Sequence, residues 1–272
     1  MDWQSVWVKE HDCTSRRRLD EKGFWDGRAE SYHAAQPFKD DITSWQMSIL
    51  DLDADDSCID IGCGCGRLSI PAATVCRQVV ALDGSPEMIR ILRQDVEAEG
   101  LDNVLPVGSH FQDYIPDRSF DLAFASFSMF MRDMDVQLSR MNGCSDRCVV
   151  FASDSLRIPK AAQEMVFGRE VSAHTDSEMI LGIAEDLGYN PTIVRRTFDR
   201  DPVQEDGDAV LDRLAEMFEV DRDDPGLRSY VESEERRRDA GQLKIGAVSW
   251  KRRVRREPSG RSGSCTSAGW PT

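Results

Sequence analysis

The sequence predicts an α/β fold: a mostly parallel sheet of seven strands with helices on both faces. Three observations carry this. Short buried-type runs alternate with helical patterns from Ser57 to Ala152. Strands separated by helices imply a parallel sheet covered on both sides. A glycine-rich turn, Gly62-Cys-Gly-Cys-Gly66, joins the first strand to the next helix. The length of 272 residues suits one such domain of roughly 200–250 residues with appendages.

The elements follow in order. Met1–Asp20 is polar, with a basic triplet at Arg16–Arg18, and residues 1–22 are expected to be weakly ordered. From Gly23, Phe24, Trp25, Ala29 and Tyr32 recur at helical spacing, and a second helix is expected over Asp40–Leu50. Strands are predicted at Ser57–Ile61, Gln78–Leu82, Asn103–Val107, Asp121–Ser126 and Arg147–Ala152. Ser85-Pro86-Glu87 reads as a helix start, with Ser85 as cap and Pro86 in the first turn; that helix ends at Gly100. Helices follow near Asp133–Met141 and Ser177–Leu187, then a strand at Asn190–Phe198. Two acidic helices, Val203–Phe218 and Gly226–Arg238, precede a last strand, Gln242–Arg252. Residues 153–176 and 199–240 read as insertions into a domain spanning 23–256. The tail, 257–272, is low in complexity and expected to be disordered.

Composition excludes several classes. Apolar residues make up 40% and charged residues 31%, enough apolar content for a folded core. The longest near-apolar stretch, Leu122–Met131, is broken by Ser126 and Ser128, so no membrane span is expected. The start lacks the pattern of a secretory signal, which leads to a cytoplasmic expectation. The eight cysteines form no C-x-x-C pair, so they read as reduced thiols and no metal site is expected. A formal charge of −15 disfavours nucleic acid as a partner.

The chemistry centres on Cys58-Ile-Asp-Ile-Gly-Cys-Gly-Cys-Gly-Arg67. Glycines let the backbone turn sharply and let a ligand approach where a Cβ would clash. A dinucleotide turn reads G-x-G-x-x-G. Here the third glycine comes one position early and Arg67 takes its place. Asp60 before the turn suits a ligand carrying an ammonium group rather than a pyrophosphate. Asp83 closes the second strand, where an acid can accept both hydroxyls of a ribose.

These segments, together with Val80-Ala-Leu-Asp83-Gly-Ser-Pro-Glu-Met88 and Ser119-Phe-Asp-Leu-Ala-Phe-Ala-Ser126, resemble the class I S-adenosylmethionine-dependent methyltransferases of the small-molecule type. The resemblance covers about Phe24 to Ala152. It implies a Rossmann-like sheet with a closing antiparallel strand at Gly246–Trp250 and a helical N-terminal lid over residues 23–50. It implies S-adenosyl-L-methionine as cofactor, with Gly62, Cys63 and Gly64 along its methionine part and Asp60 near its amino group. Asp83 would hold the ribose, beside Gly84, and Met88 would pack on the adenine. Ser109 stands where the family often has an acid, which leaves the adenine contact to His110, Phe111 or Asp113. Ala125 and Ser126 would border the methyl group.

Methyl transfer places few demands on side chains, because in-line placement supplies most of the acceleration. Tyr32, His33, His110 and His174 are candidate bases, and Tyr32 is also a candidate for cation–π contact with the sulfonium. Met165, Val166, Phe167 and His174, in the insertion after the fifth strand, are candidates to line an acceptor pocket. The expected activity is methyl transfer to a small molecule. The alternatives are a methyltransferase acting on tRNA or protein, a homologue that only binds the cofactor, and a nicotinamide-dependent oxidoreductase. The missing G-x-G-x-x-G and the presence of Asp60 count against the last.

Overall fold

Seven strands form one sheet in the order β3-β2-β1-β4-β5-β7-β6. The computed structural model describes residues 1–12, 19, 23–35, 40–171, 173–199, 207–233, 236 and 241–252. The strands are β1 Ser57–Ile61, β2 Gln78–Asp83, β3 Val104–Gly108, β4 Phe120–Ser126, β5 Ser145–Ser153, β6 Thr192–Asp199 and β7 Gln242–Lys251. Strand β1 pairs in parallel with β2 and β4, and β2–β3 and β4–β5 are parallel too. Strand β7 runs antiparallel to both β5 and β6. The order reverses between β1 and β4. The crevice above such a switch point is where open α/β sheets take their ligands.

Side-chain alternation divides the core. Ile59, Ile61, Ala123, Ala125 and Val150 face one side, packed with Met134 and Leu138 and with Met179 and Ile183. Those partners lie on helices Met134–Cys144 and Asp176–Asp186. Cys58, Leu122, Phe124, Val149 and Phe151 face the other side, against Ile42, Trp45, Ala72, Ile89 and Leu92. These belong to helices Asp40–Leu50, Ser69–Ala73 and Pro86–Ala98. The start of Pro86–Ala98 is fixed as its sequence predicts: Ser85 Oγ accepts the Met88 N–H at 3.3 Å, with proline in the first turn. Thr175 and Glu178 form a capping box for Asp176–Asp186, one residue ahead of the predicted start.

The N-terminal expectation is corrected. Trp3–Asp12 is a helix, hereafter α1, and Trp7 is fully buried in the first core. Only Trp3, Val6 and Trp7 give it an apolar face, too short a pattern to register as a helix in the sequence. Its stability comes from docking on Asp186, the Met131 carbonyl and the Gly182 backbone rather than from propensity. The lid begins with a 3₁₀ turn at Asp26–Arg28 and continues as helix Ala29–Ala35.

The insertions form a third, smaller core. Ile158 and Ala162 meet Leu211, Leu214 and Phe218 of helix Gly207–Phe218, and Leu227 and Tyr230 of helix Pro225–Glu232. Arg28 in the lid pairs with Glu216 there at 3.1 Å. The expected helix starts at 203–206, the helix end at 237–238, Cys13, Cys265, the triplet at 16–18 and the tail at 257–272 lie outside the described residues. Among the described residues no helix is long and apolar enough to cross a membrane.

Trp7→Ala is expected to lower unfolding free energy by about 3–5 kcal/mol in urea titrations, the cost of truncating a buried aromatic. A change below about 0.5 kcal/mol, typical of surface positions, would restore the weakly ordered reading of this segment.

Candidate active site

A cavity of about 420 Å³ opens at the carboxyl ends of β1, β2 and β4. Its floor is the glycine turn. Gly62, Gly64 and Gly66 have φ of +69°, +55° and +91°, the left-handed region that side chains resist. A Cβ on Gly62 would stand 2.3 Å from Ser128 Cβ, and one on Gly66 2.3 Å from Leu92 Cδ1. A Cβ on Gly64 would instead lie 3.9 Å from both Met88 Sδ and Tyr32 Cε1, which line the same cavity. Gly62 and Gly66 are therefore demanded by packing as well as by turn geometry. Gly64 leaves bare backbone between the lid and the adjoining helix.

Asp83 ties this turn to the next one. Its Oδ2 accepts the Gly64 N–H at 2.9 Å and its Oδ1 accepts the Ser85 N–H at 2.8 Å. Burial raises its pKa, opposed by those two N–H bonds. Each carboxylate oxygen keeps capacity for another donor. Asp83 does not cap the following helix; Ser85 does.

Asp60 is 2% exposed and faces the same cavity. Ser69 Oγ donates to it at 2.6 Å, yet burial pushes its pKa up to about 7. The nearby positive charge is Arg67. Its guanidinium donates to Thr43 Oγ1 at 3.1 Å, Gln46 Oε1 at 2.7 Å and Ser126 Oγ at 2.9 Å. It is also hydrogen-bonded to Tyr32, and burial lowers its pKa. The Tyr32 phenol is pushed up by burial, so it is a poor base and a good donor.

At the opposite end, Met88 is buried and accepts from the Cys65 thiol at 3.3 Å. A side chain on Gly84 would strike the His110 ring at 2.4 Å. Ser109, held by its N–H to the Asp83 carbonyl at 2.9 Å, lines the cavity with His110 and Phe111. The Arg140 guanidinium lies 5.4 Å from the Phe111 ring centroid. Beyond β4, Phe127 has φ +54°, an outlier for a bulky side chain and of the kind that gathers at functional sites.

Thirteen of the residues singled out in the sequence thus line one cavity: Tyr32, His33, Asp60, Gly62, Cys63, Gly64, Asp83, Gly84, Met88, Ser109, His110, Phe111 and Ser126. Three expectations are corrected. Ala125 is fully buried in the core, because alternation along β4 turns Ser126 and not Ala125 to the cavity side. His174 stands edge-on to Trp3 at 5.1 Å, between the N-terminal helix and Asp176–Asp186, and does not line the cavity. Met165, Val166 and Phe167 do not line it either; Val166 and Phe167 pack in the third core. Sequence reasoning missed the roles of Thr43, Gln46 and Arg67. Arg67 was visible as the residue displacing the dinucleotide glycine. Gln46 had no signal beyond its place on an amphipathic helix.

Among the described residues no three His, Cys, Asp or Glu side chains are grouped to hold a metal. The six described cysteines are free and buried. Burial raises Cys63, and raises Cys65 to about 11.

Residues 58–144 match a family model described as a methyltransferase domain. An uncharacterised methyltransferase of Schizosaccharomyces pombe is 31% identical over 103 residues, 37% of this chain and 38% of that protein. Ribosomal RNA small subunit methyltransferase G of Aeromonas salmonicida is 36% identical over 78 residues, 28% of this chain and 38% of that protein. This chain therefore spans less than two fifths of the length of either curated relative. In structure, it resembles an S-adenosylmethionine-dependent methyltransferase of Thiobacillus denitrificans crystallised with S-adenosyl-L-homocysteine. That match has a TM-score of 0.55 and 19% identity, and covers 83% of this chain and 96% of the other. The matched segment, residues 58–144, holds the glycine turn, Asp83 and β4, and is similar to a methyltransferase domain; the fold agrees with that of the solved methyltransferase.

Gly62→Ala is expected to destabilise the fold about 1–3 kcal/mol more than Gly100→Ala. Both positions have positive φ, at +69° and +66°, but only the first meets a neighbour. Equal losses in urea titrations would show that Ser128 yields.

Proposed function

We propose that the chain binds S-adenosyl-L-methionine in this cavity and transfers its methyl group to a small molecule. The observation that carries the reading is the pair of buried carboxylates, Asp60 and Asp83, at adjacent strand ends over bare glycine backbone. When bound, the cofactor supplies a sulfonium methyl that is lost to a nucleophile by in-line displacement.

The residues present fit that ligand at each end. Asp83 has lone pairs left for two ribose hydroxyls. Met88, His110 and Phe111 offer apolar and ring surface for the adenine, and Gly84 keeps the turn clear of the His110 ring. Asp60 suits the ammonium of the methionine part, and the Arg67 guanidinium suits its carboxylate. Tyr32 presents a ring beside Gly64, where a sulfonium gains from the π-face. Ser126, held by Arg67 and Gln46, sits at the end of β4 where the acceptor would enter.

A small acceptor agrees with the remaining wall. Trp25, Phe127, Phe130 and Met131 close the cavity with apolar surface under the lid. The charge of −15 opposes approach of a phosphate backbone, although several relatives are ribosomal RNA enzymes by name. His33 lines the cavity 3.7 Å from Asp95 and is the imidazole best placed to accept a proton where the nucleophile carries one. The decisive assay follows tritium from S-adenosylmethionine: label in a low-mass fraction of cell extract supports this reading, and label confined to RNA or protein overturns the small acceptor.

Three further outcomes are expected. Asp83→Ala weakens S-adenosylhomocysteine binding in calorimetry by at least about thirtyfold, through loss of hydrogen bonds to a charged acceptor; an unchanged Kd would reduce Asp83 to a tie between turns. Arg67→Gln weakens S-adenosylhomocysteine about tenfold but leaves 5′-methylthioadenosine, which lacks the carboxylate, unaffected. Equal loss for both ligands would make Arg67 structural only.

The third outcome concerns pH. The folded pKa of Asp60, about 7, lies above its ordinary 3.8. Its proton is therefore retained in the free protein up to near pH 7, and an ammonium beside it favours the carboxylate. Binding should release a proton below about pH 7, and affinity should rise with pH up to that point. Asp60→Asn should abolish the release, read from calorimetry in buffers of different ionisation enthalpy. Persistent release in that variant would assign the proton to another group.

A further inference from the structure

The loop after β4 forms one wall of the cavity through Phe130 and Met131. Its near end is tied to the glycine turn, where Ser128 Oγ donates to the Ile61 carbonyl at 2.5 Å. Its far end is held by α1, 124 residues away in sequence. The buried Trp7 Nε1 donates to the Met131 carbonyl at 2.9 Å. Gln4 Nε2 donates to the Arg132 carbonyl at 2.9 Å, while Gln4 Oε1 accepts the Asp135 N–H at 3.1 Å. Asp12 accepts from both Nε and Nη2 of Arg132, at 3.0 and 2.9 Å.

Two successive loop carbonyls thus find their donors on one helix, and the Arg132 side chain is held in a two-point fork. A carbonyl satisfied by a distant side chain has its position set by that side chain. The helix also docks away from this loop. Trp3 already packs flat on Gly182, where a Cβ would come within 2.3 Å of the indole, and the Trp3 N–H reaches Asp186 at 3.1 Å. The loop contacts all converge on the segment that closes the cavity.

We infer that α1 is a latch that sets the β4-side wall of the site, with Gln4, Trp7 and Asp12 as positioning residues for Met131. Released from these contacts, the wall moves outward and a bound ligand leaves faster. This rests on reading the cavity as the cofactor site, and the test separates the two.

The test compares the full chain with Trp7→Phe, which removes the N–H and keeps a ring, and with the double variant Gln4→Ala/Asp12→Asn on the outer side of the helix. Methionine methyl NMR reports the loop at Met131, with Met88 and Met47 as controls. In both variants the Met131 signal should shift and broaden while the controls hold. Dissociation of S-adenosylhomocysteine should quicken about three- to tenfold, and Asp12→Glu should retain the wild-type rate. A Met131 signal and a dissociation rate both unchanged would overturn the latch, as would equal disturbance of all three methionines. If Trp7→Phe fails to fold, the double variant decides. If the wild-type protein binds no S-adenosylhomocysteine, the cofactor reading falls, and the Met131 signal alone still tests the latch.

Discussion

The carboxylate of Asp83 spans two turns with two hydrogen bonds, one to Gly64 and one to Ser85. The two bonds fix the spacing of one turn from the other. Leu82 adds to the tie, its carbonyl accepting the Gly62 and Cys63 N–H groups at 2.7 and 3.0 Å. The ends of β1 and β2 are thereby locked together, and the helix starting at Pro86 inherits its position from the same junction. Met88 one turn in, Gly84 against His110 and Gly64 beneath Tyr32 all depend on it. An acid at the end of β2 is thus both a structural tie and the proposed ligand for the ribose.

The second constraint is strand alternation. On β1 and β4 the residues Asp60 and Ser126 fall on the face that carries Cys58 and Phe124, so both meet the helices Asp40–Leu50 and Ser69–Ala73. That face supplies Thr43, Gln46 and Ser69 as polar partners. Buried charge is expensive unless it is bonded. Here Asp60 has Ser69, and Arg67 has three side-chain oxygens and Tyr32. The carboxylate and the guanidinium, held among neutral groups, make a setting matched to a zwitterion. The neighbouring Ala125 points the other way and only fills the core.

Much of this was legible in the sequence. All seven strands were placed within two residues at each end. The glycine turn, Asp60 and Asp83 were legible because each has a backbone reason: a left-handed turn or a strand end. Ser109, His110 and Phe111 followed from their position after the third strand. What was not legible depends on long-range contact. Gln46 and Arg67 meet only because the lid folds back on the sheet. His174 and Met165–Phe167 follow β5, yet the third core and the N-terminal helix draw them away from the cavity. That helix has too few apolar residues to be read from its own pattern, and the carbonyl that its buried tryptophan donates to, that of Met131, lies 124 residues away in sequence.

The central claim is that the buried acids at the ends of β1 and β2 hold an adenosine-linked methionine. A crystal structure of the full chain grown with S-adenosylhomocysteine tests it most directly. The account predicts both ribose hydroxyls on the Asp83 carboxylate, with the amino group at Asp60 and the carboxylate at Arg67. A ligand seated elsewhere, or one turned so that its adenine meets Asp60, would contradict it.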